Sequence, residues 1–386
     1  MSLLVLFGGA FAVQVVAWLA LAVGFARAER HTSTPSGDAA AEPSGMAEVP
    51  VMAAMPIAVL VAARNEAARL PALLDALAAQ THPPAEVLIA DDGSTDGTAA
   101  VAETYADRLP VRVVAIAEGD AGAAGLPRKK HALSRAIAAA RHDRLAFTDA
   151  DCVPAPDWLA AFARAATAEP DAVLVGTSPT RPAREVPDTP PSLASLVRFE
   201  TMVTAFLTAA ALGLGRPYMA VGRSISYPKS LFERLGGFAH QAASLSGDDD
   251  LLVQEVHRQR AAPIRFVADA VAPTDPPTTL GGWLRQKQRH TSAGRFYDRT
   301  ALALLAGFHL THGLVWLGAP VFWALGSWTG AGLLAALLLI QRGVLRGPAE
   351  TLGTADVMPA WPFWMWGYAL YNSFAAPLGG LGARRW

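Results

Sequence analysis

The sequence is poor in charged residues and in cysteine. Only 17% of its 386 residues are Asp, Glu, Lys or Arg, whereas soluble domains average about 25%. The single cysteine, Cys152, excludes an internal disulfide and therefore a small secreted fold stabilised by disulfides. The net charge of -1 gives no basis for bulk binding of nucleic acid, so no nucleic-acid partner is expected. Because 52% of the residues are hydrophobic, we expect membrane segments joined to a globular domain.

Three long stretches, residues 1–26, 300–341 and 357–383, contain no charged residue. A spanning helix needs about 20 apolar residues, so the first stretch predicts one span and the second predicts two, broken at a Gly-Ser-Trp-Thr-Gly sequence. The third, rich in Trp and Pro, predicts either one span or a re-entrant segment. Arg27 and Arg30 follow the first stretch and no basic residue precedes it. This asymmetry favours a retained anchor over a cleaved signal peptide and places the following residues in the cytoplasm.

These features divide the chain into four parts. We expect an N-terminal anchor at residues 1–27, a linker rich in Ala, Pro, Ser and Gly at 28–55, a catalytic domain at 56–298 and a C-terminal membrane region at 299–386. The expected protein is a multi-pass protein of the inner membrane with its catalytic domain in the cytoplasm.

Short apolar runs alternate with helical patterns in the first part of the catalytic domain. The strands expected from these runs lie at residues 57–63, 86–90, 111–116, 145–148 and 172–176. This alternation predicts an α/β fold with a mostly parallel sheet. Ligands of such sheets bind beyond the carboxyl ends of the strands.

Acidic residues follow three of the expected strands directly. Glu66 follows the first strand, and Asp91 and Asp92 follow the second. Asp149 and Asp151 follow the fourth. Carboxylates gathered at one sheet edge repel each other unless a cation relieves them, and oxygen ligands suit Mg²⁺ or Mn²⁺. We therefore expect a divalent metal ion on Asp149 and Asp151.

Several polar clusters also have an ordinary structural interpretation. Residues 91–98 have the composition of a turn and helix cap. Lys129 and Lys130 begin a helix, where positive charge opposes the helix dipole and a diphosphate ligand would offset that effect. Residues 248–250 also begin a helix, where acidic side chains are favourable, and one of them is a candidate general base. The basic segment 286–290 precedes a membrane run, as expected for attraction to anionic headgroups.

The order and spacing of these clusters resemble glycosyltransferase family 2, the inverting enzymes with a GT-A fold. The resemblance covers residues 57–294, and the membrane segments are similar in kind to those of the membrane-bound lipid glycosyltransferases and synthases. It implies a nucleotide-sugar donor, with a UDP-sugar as the first expectation. It also implies transfer of the sugar to a lipid or lipid-linked acceptor.

The resemblance implies roles for individual residues. Asp249 would be the catalytic base, and Asp149 and Asp151 would hold the metal ion. The residues that would bind the nucleotide sugar are Ala63, Arg64, Glu66, Asp91, Asp92, Lys129, Lys130, Asp149, Ala150, Gln286, Arg289 and His290. Those on the acceptor side would be Gly222, Arg223, Ser224 and Asp248.

The chain departs from the family pattern at three points. Pro127 and Arg128 replace the usual Gly before the lysines, Ser224 replaces Asn, and His290 replaces the final Trp of the Gln-x-x-Arg-Trp motif. The last departure argues against a processive polysaccharide synthase, which stays an alternative together with an inactive membrane scaffold. A nucleotidyltransferase would need a glycine-rich loop after the first strand, and residues 62–66 contain no glycine.

Two further segments, residues 199–214 and 283–295, are apolar enough to lie at a membrane surface. They are expected to bring the catalytic domain close to a lipid acceptor.

Overall fold

The computed structural model describes residues 3–32, 55–117 and 119–377. The strands are β1 (Ile57–Ala63), β2 (Glu86–Asp91), β3 (Val111–Ala115), β4 (Arg144–Asp149), β5 (Val173–Thr177), β6 (Ile225–Pro228) and β7 (Ile264–Val271). The helices are α1 (Leu3–Thr32), α2 (Leu70–Ala78), α3 (Thr98–Glu103), α4 (Asp120–Ala123), α5 (Arg128–Ala139), α6 (Trp158–Ala168), α7 (Pro191–Gly213), α8 (Lys229–Arg234), α9 (Asp250–Gln259), α10 (Leu280–Thr291), α11 (Arg299–Ala324), α12 (Trp328–Thr351) and α13 (Trp361–Leu370). Most of the expected linker lies outside the described residues, and α1 continues past the expected end of the anchor.

The strands form one sheet in the order β3-β2-β1-β4-β6-β5-β7. Strand β1 pairs in parallel with β2 and β4, β2 pairs in parallel with β3, and β5 pairs in parallel with β7. Strand β6 is antiparallel to both of its neighbours. The expected α/β fold with a mostly parallel sheet is therefore confirmed. Strands β1 to β5 agree with the predicted strands to within one residue at each end, while β6 and β7 are additional.

The register of the sheet brings the ends of its central strands together. Ala63 at the end of β1 pairs with Asp91 at the end of β2. Ala62 pairs with Asp149 at the end of β4. The predicted position of the acidic clusters on one sheet edge is confirmed by these pairings.

Helices cover both faces of the sheet. Side chains of a strand alternate between the two faces, and β1 shows this alternation within one segment. Ile57, Val59 and Val61 pack with α2 and α6, whereas Ala58 and Leu60 pack with α5 and α9. Burial on both faces explains why β1 is a continuous apolar run. Each fully buried Leu or Ile contributes roughly 1.5–3 kcal/mol.

Among the described residues, four helices are long and apolar enough to cross a membrane, namely α1, α7, α11 and α12. Three of them agree with the predicted spans, and Gly326, with a φ of 79°, lies in the break between α11 and α12. The third uncharged stretch forms α13 and a following π-helical turn that ends at Ala375. A 3-10 helix, Ala355–Ala360, runs directly into α13, and residues 378–383 of the stretch lie outside the described residues. The choice between one span and a re-entrant segment therefore stays a prediction.

Helix α7 corrects the expectation that its C-terminal half lies at a membrane surface, because the helix is buried inside the protein along most of its length. The ring of Phe206 stacks on Trp18 of α1 with centroids 5.9 Å apart, and Phe25 lies 5.6 Å away. A Cβ atom built on Gly213 would lie 1.8 Å from the carbonyl oxygen of Gly24. Glycine at this crossing lets the two backbones touch, so one face of α1 packs into the core while the rest of the helix is exposed.

Candidate active site

The loops that follow β1 and β2 are tied together by hydrogen bonds. Asn65 has a φ of 56°, and its backbone N–H donates to Ser94 Oγ at 2.9 Å. The Asn65 side chain accepts from the backbone N–H of Thr95 at 2.9 Å. The backbone N–H of Glu66 donates to Thr98 Oγ1 at 2.9 Å. The loop after β2 therefore has the structural role of a turn, and it also fixes Glu66 at the sheet edge.

Both acidic residues at the end of β2 are buried and have partners. Asp91 Oδ1 accepts from the backbone N–H of Ser94 at 2.9 Å. Asp92 Oδ2 accepts from Arg128 Nε at 2.7 Å, and its Oδ1 accepts from Arg128 Nη2 at 3.3 Å. Such two-point contacts are the stronger kind of ion pair. Arg128, one of the departures from the family pattern, therefore joins the β2 edge to the start of α5.

The Asp149-Ala150-Asp151 triplet begins at the last residue of β4. It lies between two cavities. Ala150 is buried. Asp149 lines a cavity of about 180 Å³, and Asp151 lines a neighbouring cavity of about 1080 Å³. Gln286 and Arg289 of α10 line both cavities, so α10 lies beside the two carboxylates.

The surroundings shift the pKa values of the two carboxylates of the triplet in opposite directions. Burial raises the pKa of Asp151, and the charge of Asp149 raises it further. Burial also opposes ionisation of Asp149, but Lys129, Arg223 and Arg289 outweigh that effect and lower its pKa. An added cation beside Asp151 would relieve the remaining repulsion.

The pair has the ligand chemistry of a Mg²⁺ or Mn²⁺ site. These ions are usually bound by one or two carboxylates together with water and substrate phosphates. In the part of the chain that the structure describes, no group of three or more His, Cys, Asp or Glu side chains forms a metal site. Asp149 and Asp151 would suit such an ion if water and substrate phosphates supplied its other ligands.

Lys129 connects the two acidic centres of the site. Its Nζ lies 3.1 Å from Asp149 Oδ1 and 3.3 Å from Asp248 Oδ2. Burial alone would lower the pKa of this ammonium, but Asp149, Asp248 and Asp249 together raise it above its usual value. Lys129 therefore stays charged between the triplet and the start of α9.

Lys130 does not reach the site, although it was expected at the diphosphate. The side chain is completely buried. Its Nζ donates to the backbone carbonyls of Gln241 and Ser244 at 2.9 Å and of Ser246 at 3.1 Å. Neighbouring residues on a helix point about 100° apart, so only one of the two lysines faces the acidic edge. Lys130 instead holds the loop that leads to Asp248.

Asp249 is fixed at both carboxylate oxygens. Oδ1 accepts from the backbone N–H of Asp250 at 2.8 Å, and Oδ2 accepts from the backbone N–H of Gly222 at 2.6 Å. Burial and the neighbouring Asp248 raise the pKa of Asp249 to about 6, against the lowering effect of Lys129. A general base works best when its pKa lies near the working pH. Asp249 lines the 180 Å³ cavity and has the position and pKa of such a base.

Asp250 is also held at both oxygens. Oδ1 accepts from the backbone N–H of Ala220 at 3.1 Å, and Oδ2 accepts from the Tyr297 hydroxyl at 2.5 Å. Burial and the charge of Asp249 raise the pKa of Asp250 well above its usual range. Since Ala220 and Gly222 belong to one loop, Asp249 and Asp250 fix that loop to α9. Tyr297 adds a link to the start of α11.

Gly222 and Arg223 border the cavity as expected. A Cβ atom built on Gly222 would lie 2.9 Å from Asp249 Oδ2, so the close approach of this carboxylate requires glycine. Arg223 also lines the cavity, and its charge contributes to the lowered pKa of Asp149. Gly222 therefore contacts Asp249 through its backbone, and Arg223 adds positive charge near Asp149.

Ser224 corrects the expectation of an acceptor-side residue. Its side chain is completely buried. The Oγ donates to the carbonyl of Ala270 at 2.7 Å and accepts from Trp158 Nε1 at 3.0 Å. These partners lie on β7 and α6, so Ser224 fastens the start of β6 within the sheet and does not contact the cavity.

Helix α10 holds the three residues of the expected basic motif beside the cavity; they are Gln286, Arg289 and His290. Trp283 is buried, and its ring lies 5.1 Å from that of Tyr371. Lys287 forms an ion pair with Glu200 of α7, and both side chains are largely buried. The ion pair and the buried Trp283 explain the composition of this segment better than attraction to headgroups alone.

The structure gathers most of the expected residues at one place. The 180 Å³ cavity is lined by Lys129, Asp149, Gly222, Arg223, Asp248, Asp249, Gln286, Arg289 and His290. Buried Ala63, exposed Arg64, and Glu66, Asp91 and Asp92 lie along the same sheet edge but do not line either cavity. Three residues that the motifs do not identify, Arg128, Lys287 and Tyr297, position this constellation.

Comparisons with known proteins bear on the family and the fold of the chain. An uncharacterized glycosyltransferase of Nostoc sp. is 33% identical over 105 residues, which are 27% of this chain and 31% of that protein. The chain therefore spans about a third of the length of this curated relative. A structure of a mannosyltransferase from Pyrobaculum calidifontis, in complex with GDP-Man and Mn²⁺, covers 95% of this chain and 99% of its own, with a TM-score of 0.54 and 20% identity.

The sheet order and the overall similarity to this mannosyltransferase show a fold of the GT-A type. Residues 58–236 match the family model for Glycosyl transferase family 2. Over these residues the chain is similar to that family.

Proposed function

We propose that this protein moves a sugar from a nucleoside diphosphate to the hydroxyl of a lipid or lipid-linked acceptor, with inversion at the anomeric carbon. One observation carries the proposal. Asp249, whose pKa is raised to about 6, lines the same cavity as Asp149, Arg223 and Arg289. A candidate base and a group of residues suited to bind a departing diphosphate therefore line the same small cavity.

The donor would lie along the sheet edge. Its nucleoside would lie near Glu66 and Asp91, and its diphosphate near Asp149 and Asp151. A Mg²⁺ or Mn²⁺ ion held by the two aspartates would neutralise charge on the leaving diphosphate. Arg289 adds positive charge on that side. A UDP-sugar is the first expectation, and the GDP-Man bound by the mannosyltransferase structure makes a GDP-sugar the natural comparison.

The transfer is a single in-line displacement. The acceptor oxygen forms a bond to the anomeric carbon while the bond from that carbon to the diphosphate oxygen breaks. Asp249 takes the proton of the acceptor hydroxyl, a contribution of about 10²–10⁴-fold in general acid–base catalysis. The two backbone N–H groups that hold Asp249 keep its oxygens in position as this happens.

A membrane location supports a lipid acceptor. Helices α1, α11 and α12 have the length and composition of spans, and the Tyr297–Asp250 hydrogen bond links the start of α11 to the catalytic helix α9. We infer that the protein is a multi-pass protein of the inner membrane and that its sheet domain faces the cytoplasm.

A donor panel with membrane lipids tests this function. The full chain in lipid nanodiscs is incubated with Mn²⁺, membrane lipid extract, and UDP- or GDP-sugars, and products are read by mass spectrometry. We expect one donor to give lipid products heavier by a single sugar. Long sugar ladders would instead indicate a processive synthase. Absence of any binding of UDP or GDP with Mn²⁺ would overturn the proposal in favour of an inactive scaffold.

The pH dependence of transfer is set by Asp249. Its carboxylate must be ionised to accept a proton, and its pKa is about 6. Below this pH we expect kcat/KM to fall by about tenfold per pH unit. Steady-state rates between pH 5 and 8 measure the profile, with calorimetric UDP affinity at each pH as the control. A rate that stays level down to pH 5 would refute the assignment.

Gly222→Ala is expected to lower transfer by about 10–100-fold. The new Cβ would lie 2.9 Å from Asp249 Oδ2 and displace the base, and small displacements of a reacting group have effects of this size. Donor affinity should be preserved. Gly307→Ala is the matched control, because a Cβ there meets nothing within 4 Å. Rates for Gly222→Ala equal to those of the control would argue against a tight contact between this glycine and the base.

A further inference from the structure

A second large cavity, of about 770 Å³, lies between α1, α7, α9 and α11. Alanine, leucine and phenylalanine supply more than half of its lining. Ala17 of α1, Leu207 and Ala211 of α7, and Leu304 and Phe308 of α11 are examples. Its volume is within the usual range of ligand pockets, about 300–1000 Å³. Two of the four helices, α1 and α11, are segments expected in the bilayer, so part of the apolar wall comes from these segments.

The charged residues of this cavity balance each other. The lining contains two cations, Arg216 and Arg258, and two carboxylates, Glu255 and Asp298. Arg258 Nε lies 3.1 Å from Glu255 Oε2, and the Asp298 side chain caps α11 by accepting from the backbone N–H of Thr300 at 2.8 Å. His240 and His257 are the remaining basic residues of the lining, so the cavity has no fixed surplus of positive charge. Charge complementarity favours an uncharged headgroup over a phosphate, because a buried anion needs a partner.

The cavity lies next to the start of α9 and to the loop that contains Tyr218 and Met219. Leu251, which lines it, directly follows Asp250. Tyr218, which also lines it, precedes Met219, a residue of the 180 Å³ cavity. The ring of Tyr218 lies 6.4 Å from that of Tyr297, whose hydroxyl bonds to Asp250. Two aromatic rings therefore stand between the apolar cavity and the acidic centre.

We propose that this cavity binds the hydrocarbon tail of the acceptor, an uncharged lipid with a free hydroxyl, and that the hydroxyl reaches Asp249 past Tyr218. The identity of the lipid as the acceptor rests on the proposed function. The presence of a lipid tail in the cavity does not, because it follows from the lining and from the charge balance alone.

Photolabelling tests whether the cavity holds a lipid tail. The full chain is placed in phosphatidylcholine nanodiscs that contain diacylglycerol with a diazirine in its acyl chain, and crosslinks are mapped by mass spectrometry. We expect labels on the lining residues of α7 and α11. Leu304 lines the cavity and is 59% exposed, so Leu304→Trp narrows the cavity from its outer side and should lower this labelling by about tenfold, equivalent to ~1.4 kcal/mol. Leu310→Trp is the matched control, since Leu310 lies on the same helix, is 66% exposed and does not line the cavity.

Equal labelling of Leu304→Trp and Leu310→Trp would overturn the lipid site. Stronger labelling by a phosphatidic acid with the same diazirine chain would overturn the assignment of an uncharged headgroup. These results do not depend on donor chemistry. If the lining is labelled as expected but the protein binds neither UDP nor GDP with Mn²⁺, the proposed function fails while the lipid site stands.

Transfer to membrane lipid extract tests whether the bound lipid is the acceptor. For Leu304→Trp we expect about tenfold slower transfer at low extract density and recovery at high density, while calorimetric affinity for the donor nucleotide is unchanged. This is the pattern of a raised KM with an unchanged kcat. Leu310→Trp should behave as the wild type at both densities. A rate for Leu304→Trp equal to wild type at low density would overturn the acceptor assignment.

Discussion

Asp249→Asn is expected to lower sugar transfer by about 10²–10⁴-fold, the contribution of a general base. The amide has nearly the same shape as the carboxylate but cannot take the proton of the acceptor. Donor binding should be preserved, because the groups expected to hold the diphosphate lie on β4, α5 and α10. Transfer is measured by product mass spectrometry and donor affinity by calorimetry with Mn²⁺.

Asp269→Asn is the matched control for this substitution. Asp269 lies on β7 and its side chain is 80% exposed, so loss of its charge should leave transfer unchanged. Transfer by Asp249→Asn within a few-fold of this control would show that another group removes the proton. Asp248, which contacts Lys129 at 3.3 Å, would then be the next residue to replace.

Asp151→Ala is expected to weaken donor binding strongly in the presence of Mn²⁺ and only slightly in its absence. Loss of an outer-shell partner of a metal ligand reduces metal affinity by about 10–100-fold, and loss of a ligand itself should exceed this. The repulsion between Asp149 and Asp151 that raises the pKa of Asp151 also disappears, so the fold should not lose stability. Calorimetry with UDP and with GDP measures affinity, and thermal unfolding monitors the fold.

Wild-type protein provides the decisive comparison for this second prediction. If donor affinity is the same with Mn²⁺ and with a chelator, the two aspartates have no metal role. Lys129, Arg223 and Arg289, which offset the charge of Asp149, would then be sufficient to hold the diphosphate.

Strands β1 to β5 could be predicted because they are short apolar runs, and acidic residues follow three of them. Strand β6 has only four residues and is antiparallel to its neighbours. Strand β7 contains Arg265 and Asp269, and its pairing with β5 shifts register. Neither strand reads as a continuous apolar run or as a regular alternation, so periodicity does not reveal them.

The sequence predicts the position of those site residues that lie at strand ends. It does not predict which way the side chains of the other site residues point. Parallel strands bring Asp91 and Asp149 to one edge whatever the details of packing. Whether Lys129 or Lys130 faces that edge depends on the rotation of α5. Ser224 forms its hydrogen bonds with partners that only the tertiary fold brings near. The apolar sequence pattern of α7 likewise does not distinguish a helix that faces a bilayer from one that packs against other helices.

The close crossing of α1 and α7 at Gly24 and Gly213 bears on how this chain folds. Helix α1 is synthesised before α7, and five strands of the sheet lie between them in the sequence. Until α7 is made, Trp18 and Phe25 lack the ring of Phe206 against which they pack. The packing of α1 can therefore be completed only after these strands have been made. A fragment without α1 would expose the ring of Phe206, so we expect α1 and the sheet to fold as one unit.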